Sequence, residues 1–128
     1  MGLDMNLYGR KVHFGDETED GFPCVEKRLE LAYWRKHPDL HGYIVQHFAG
    51  GIDECQEIAL DADGIRQIMK AVSDANLPQT TGFFFGNSSD ADQGDTTGQL
   101  TRALEWLETE EPQGSGWRYR EIFYRASW

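Results

Sequence analysis

Both ends of this chain alternate apolar and polar residues with a period of two, and that feature most limits the folds open to it. Near the start, Leu3, Met5 and Leu7 are interleaved with Asp4 and Asn6, the pattern of a half-buried strand, with Gly9 placed to break or bulge it. Near the end, WRYREIFYRASW (residues 117–128) alternates aromatic and basic side chains and reads as a second strand. Between them the period lengthens. Residues 25–36 place Val25, Leu29, Ala32 and Tyr33 on one helical face, with Pro38 as the stop. Asp39 is the candidate N-cap of a helix with Leu40, Tyr43, Ile44, His47 and Phe48 on its apolar face. Gly50-Gly51 end it, and His47 reads there as a hydrogen-bonded core histidine. Asp61 caps the clearest helix, with Ile65, Ile68, Met69 and Val72 at i, i+3, i+4 and i+7. A last helix carries Leu100, Ala103, Leu104 and Leu107, preceded by a loop over 88–98. A short strand is expected at 55–60, a buried strand or a tight turn against the core at 80–87, and loops at 15–23 and 109–116. The expectation is one domain, residues 1–128, of the α+β class. It is a small, mainly antiparallel sheet, the N- and C-terminal strands included, packed with about four helices.

Composition limits function. Hydrophobic residues make up 39% of the chain, with 7 Phe, 5 Tyr and 4 Trp, enough for a packed core and against global disorder. The 12 Lys+Arg against 22 Asp+Glu give a net charge of -10. That balance disfavours general binding to nucleic acid, which depends on cations neutralising phosphates, and to anionic membrane surfaces. No apolar run is long enough to span a bilayer, and the N-terminus lacks the basic-then-apolar order of a signal peptide. A cytoplasmic protein is expected. Cys24 and Cys55, with no CxxC pair, read as reduced structural thiols. Charge is also uneven: residues 49–116 hold 3 basic and 13 acidic side chains, whereas the last twelve hold Arg118, Arg120 and Arg125 against Glu121. Basic groups near the chain ends can line an anion site on an otherwise acidic protein.

Catalytic and cofactor motifs are missing. The chain has no GxxxxGK[ST], no dinucleotide fingerprint, no GxSxG and no HEXXH. Asp90, Asp92 and Asp95 lack the remaining ligands of a calcium loop. His37 and His41 straddle Pro38, so a metal would need partners from elsewhere, such as Asp39 or Asp53; no metal or cofactor is expected. What remains is binding chemistry. Tyr33-Trp34-Arg35-Lys36 joins two aromatics to two cations shortly before His41. GFFFGN (82–87) sets three phenylalanines and Asn87 among glycines that permit close approach of a ligand. The C-terminal segment adds Tyr124 and Arg125. Aromatic faces stack on planar bases and guanidinium forks grip phosphate. The competing reading is an aromatic core rimmed by stacked arginines.

The opening Met1-Gly2-Leu3-Asp4-Met5-Asn6-Leu7-Tyr8 resembles the MGLDMxLY start of a family of small phage and prophage proteins. Tyr33-Trp34-Arg35-Lys36 followed by His41, Gly82-Phe83-Phe84-Phe85-Gly86, and the terminal Tyr124-Arg125-Ala126-Ser127-Trp128 resemble it too, in order along the chain. Tyr43 stands where relatives often have an aromatic after the histidine, and Asn6 replaces a usual tyrosine. The resemblance implies a viral accessory protein of a bacterial cytoplasm, acting against host defences.

Three functions are weighed. The first is non-enzymatic capture of a small phosphorylated, nucleotide-derived ligand. Trp34, Phe84 and Tyr124 would be its walls, Arg35, Lys36 and Arg125 its phosphate contacts, and His41 and Asn87 its donors to base or ribose. The second is an acidic inhibitor of a host protein, such as a defence factor. The third is a nucleotide phosphoesterase using His41 with Asp4 or Asp39. A homodimer is expected through pairing of the C-terminal strand across a two-fold.

Overall fold

The computed structural model describes residues 2–13, 26–78, 80, 93–110 and 117–128. The expected loop 15–23, the run 81–87 and the turn 111–116 lie outside the described residues, as do Cys24, Phe84 and Asn87. The described elements run β1 (Asp4–His13), β2 (Glu26–Arg35), α1 (Pro38–Phe48), β3 (Ile58–Leu60), α2 (Ala62–Ser73), α3 (Gln93–Glu108) and β4 (Trp117–Ser127). The strands form one sheet in the order β2-β1-β4-β3, and each neighbouring pair is antiparallel. The fold is thus α+β, with three described helices.

The missing helix is β2. Residues 26–35 pair with β1 along their whole length, and the register slips once: Leu7 faces Ala32 while Tyr8 faces Glu30. Leu31 is the extra residue of a β-bulge. The bulge joins two period-two alternations that are out of phase, Leu29/Leu31 and Ala32/Trp34, and their sum imitates helical spacing. Gly9 does not break β1. A Cβ there would come within 2.7 Å of the Trp106 ring and 2.9 Å of Leu31 Cδ1, so the glycine leaves room for those side chains.

Two helix starts also differ from expectation. Helix α1 begins with Pro38 at its first turn and has no side-chain cap; Asp39 lies inside that turn and accepts from the Thr80 N–H at 2.9 Å. Gly50 and Gly51, at φ 62° and 82°, end α1 as expected, and Gly51 N–H donates to the Val45 carbonyl at 3.0 Å. Helix α3 starts at Gln93, so residues 93–98 are helical rather than loop. Tertiary contact overrides their weak propensity: Gln93 Nε2 donates to the Ser73 carbonyl at 3.2 Å and to that of Val72, satisfying the end of α2. Helix α2 is capped as expected, Asp61 Oδ1 accepting from Gly64 N–H at 2.6 Å. His47 is exposed, 4.2 Å from the Tyr43 ring, and is not a core residue.

The helices pack on the sheet face that carries Met5, Leu7, Ala32, Trp34, Ile122 and Tyr124, and together they form the core. Among the described residues no helix is long and apolar enough to cross a membrane. Strand β4 lies inside the sheet, between β1 and β3. It is therefore no free edge for the two-fold pairing expected of it; only its ends project beyond the three-residue β3.

Candidate functional site

The sheet divides the expected site residues between its two faces. On the helix side, β4 places Tyr124 and β2 places Trp34 within the core, at 0% and 5% exposure. Trp34 Nε1 is buried without a hydrogen-bond partner. His41 enters the same interior from α1. Its Nδ1 is 2.6 Å from the Tyr124 hydroxyl and its Nε2 is 2.9 Å from Asp53 Oδ1. A carboxylate only accepts, so Asp53 takes the Nε2–H, and in the neutral imidazole Nδ1 then accepts from the Tyr124 O–H. The Trp128 ring closes over the imidazole edge-on, 5.7 Å between centroids. Burial, with a smaller push from the Asp53 charge, holds the Tyr124 phenol well above the ordinary tyrosine range.

This chain of three groups ties α1, the loop before β3 and β4 together. The carboxylate partner of His41 is Asp53, not Asp4 or Asp39. Asp4 accepts from the Tyr33 hydroxyl at 2.6 Å on the other face. With both ring nitrogens engaged and the side chain 2% exposed, His41 is built as a structural linchpin. Among the described residues no group of three or more His, Cys, Asp and Glu is placed to hold a metal ion.

The other face carries no described helix, and the register lays its side chains out in rows across the strands. Arg35, Asp4 and Ser127 form the first row, and Tyr33, Asn6 and Arg125 the second. Glu30, Tyr8, Phe123 and Ala59 form the third, and Arg28, Arg10 and Glu121 the fourth. Four arginines thus meet three carboxylates on a protein of net charge -10. Tyr8 stacks on Phe123 at 5.3 Å, and the Arg28 guanidinium lies 4.8 Å over the Phe123 ring. Arg28 is held by Glu57 at 2.9 Å, and Arg10 is held by Glu121. A depression of about 200 Å³ opens beside this stack, bordered by Tyr8, Arg28, Glu30 and Arg125.

Of the expected residues, Arg35 and Arg125 lie on this open face and both are exposed. Lys36 follows at the sheet's end, exposed, its backbone at φ 54° and its N–H donating to the Leu3 carbonyl at 2.7 Å. Trp34, His41 and Tyr124 lie on the other side of the sheet. Sequence reasoning missed Asn6, Tyr8, Tyr33 and Phe123 as neighbours of Arg125. The alternation that marked β1 as a strand also marked Asn6 and Tyr8 as outward-facing, but not their cross-strand partners.

Compared with protein-family models, with curated proteins and with solved structures, the chain matches none.

Proposed function

We propose that this chain is a non-enzymatic binding protein that captures a small phosphorylated, nucleotide-derived ligand on the open face of its sheet. The observation that carries the reading is the row Tyr33–Asn6–Arg125. Tyr33 is 45% exposed and offers a ring for a base, Asn6 an amide for its edge, and Arg125 a cation. The outer two stand two strand spacings apart, roughly 10 Å, the reach from the base of one nucleotide to its phosphate. Arg35 in the adjoining row and Lys36 beyond it extend the cationic end. The resemblance to small phage proteins supplies the setting: sequestration of a nucleotide signal of host defence in the bacterial cytoplasm. Catalysis is disfavoured because His41, which is paired with Asp53, is itself buried with both ring nitrogens engaged.

The test is thermal unfolding against a panel of cyclic dinucleotides, cyclic oligonucleotides and ADP-ribose derivatives, each ligand re-examined by chromatography afterwards. A true ligand at about 100 times its Kd adds roughly 2.7 kcal/mol, a shift of several degrees for this length. The shift is expected to vanish in Arg125→Ala and Tyr33→Ala, with the ligand recovered intact. A shift retained by both variants removes the open face from the reading; a chemically altered ligand replaces binding with catalysis.

A further inference from the structure

The open face holds a carboxylate that an anionic ligand does not by itself call for. Glu30 is exposed there, diagonal to Asn6 across the β1–β2 ladder, since Asn6 faces Tyr33 and Glu30 faces Tyr8. The bulge puts it in that place. Tyr33 lies on the open face, so an unbroken alternation would bring Leu31 outward and turn Glu30 toward the core. With Leu31 as the extra residue, Leu31 packs against the core instead, and Glu30 joins the face beside Tyr33 and Asn6. Bulges re-aim side chains in this way next to functional sites.

The other carboxylates of the face are used within it. Glu121 holds Arg10, and Asp4 accepts the Tyr33 hydroxyl. Glu30 differs. Its Oε1 accepts from Asn6 Nδ2, and among the described residues it forms no ion pair. A carboxylate cannot donate, so the amide must turn its nitrogen to Glu30. Asn6 thereby fixes the carboxylate and keeps its own Oδ1 as a further acceptor. Oε2 of Glu30, with the remaining lone pairs of Oε1, is left to an incoming donor.

The common bases differ in what they bring to such a carboxylate. Adenine and cytosine present one amine beside a ring nitrogen that itself accepts, and that lone pair would oppose the carboxylate. Uracil presents one N–H between two carbonyls. Guanine presents two adjacent donors, N1–H and the 2-amino group, which the two oxygens of one carboxylate can take together. Bonds of this charge-assisted, bidentate kind are the strong ones. A base on the Tyr33 ring would reach Glu30 with this edge and leave its phosphate toward Arg125. The Arg125 Nε is held by the Cys55 carbonyl at 3.1 Å, and its two terminal nitrogens remain for phosphate oxygens.

We infer that Glu30, positioned by Asn6, is the specificity-determining residue of the open face, and that the base it selects is guanine. The inference rests on the nucleotide-binding reading of that face and narrows it to guanine nucleotides.

The test is isothermal titration calorimetry of the whole protein with two matched pairs: guanosine and adenosine 5′-monophosphates, and cyclic di-GMP and cyclic di-AMP. The guanine member of a pair is expected to bind about tenfold or more tightly, the scale of a charged hydrogen bond. Inosine 5′-monophosphate, which lacks only the 2-amino group, should fall between the monophosphates. In Glu30→Gln the amide oxygen takes over the Asn6 bond and the Nε2 donors face the ligand. That variant should lose guanine affinity about tenfold or more and keep its affinity for adenine. Circular dichroism establishes that it is folded. Guanine and adenine members bound alike, or a guanine preference that survives Glu30→Gln, overturns the inference and leaves the ligand face standing. No binding of either pair overturns both.

Discussion

The side-chain amide of Gln99 closes on the backbone of Tyr33 from both directions. Its Oε1 accepts from the Tyr33 N–H at 2.9 Å, and its Nε2 donates to the Tyr33 carbonyl at 3.1 Å. One side chain of α3 thereby imitates a neighbouring strand on β2, the outermost strand of the sheet. Unpaired edges are templates for association, and this contact blunts one. It also anchors α3 beside Tyr33, the aromatic assigned to the ligand face.

Replacing Gln99 with alanine is therefore expected to do two things. The loss of two hydrogen bonds at an exposed site costs about 1 kcal/mol, a fall in Tm of a few degrees by calorimetry. The bared edge raises self-association, read by sedimentation velocity. A monomer as stable as the parent would show that the edge needs no cover.

Gly9→Ala is expected to destabilise by about 1–3 kcal/mol in urea unfolding, the range for overpacking a tight contact, because the added methyl meets Trp106 and Leu31 below 3.0 Å. Trimming the obstacle should restore part of the loss: the cost of Gly9→Ala measured in a Trp106→Leu background is expected to be smaller than in the parent. Equal costs in the two backgrounds would place the strain elsewhere.

Stability should fall on both sides of neutrality through two buried groups. Burial lowers the His37 pKa from its ordinary 6.5, with the Asp39 charge opposing more weakly. The unfolded chain thus takes up a proton that the folded chain resists, and stability is lost as pH falls below about 6.5. Tyr124 works in the opposite direction. Its raised pKa means that the unfolded chain releases a proton near the ordinary value of 10.0 while the folded chain keeps it. Its contribution is complete below pH 10 and declines as pH rises beyond it. His37→Gln is expected to flatten the acid limb of a stability–pH curve, and Tyr124→Phe the alkaline limb. Each variant should leave the other limb in place.

Tyr124→Phe should also cost about 1–3 kcal/mol at pH 7, since it leaves His41 Nδ1 buried without its donor. Asp61→Ala should cost about 1 kcal/mol through the lost α2 cap, and Asp61→Ser much less. Urea unfolding checks both values.

How far these relationships were visible beforehand varies by element. Strand β1 and helix α2 each keep a single period from end to end, and β4 keeps one from Tyr119 onward, its register slip lying at its very start, so their patterns were readable. Strand β2 was misread because the bulge at Leu31 shifts its alternation midway, a feature created by pairing with β1. The start of α3 was hidden for a similar reason: Gly94 and Gly98 argue for loop, and Gln93 holds the helix by reaching the end of α2. In the candidate site, Arg35 and Arg125 were legible as cations beside aromatics. Trp34 and Tyr124 were legible as aromatics, but the side of the sheet they occupy follows from register. The link from His41 to Asp53 has no sequence signal, since a loop with three positive-φ residues, Gly50, Gly51 and Cys55, carries the carboxylate back to the helix.

The first and last described strands lie side by side at the middle of the sheet, Asp4 opposite Ser127. During synthesis, every other described element therefore emerges before the sheet can close. Until β4 arrives, β3 has no strand partner, and β1 pairs only with β2. At that stage no strand ladder joins the two parts of the sheet, and Met5, Leu7 and Ile58 lack their cross-strand neighbours Ala126 and Tyr124, within reach of chaperones and proteases. The final strand acts as a latch, and shortening it is expected to disassemble the whole sheet rather than fray one edge.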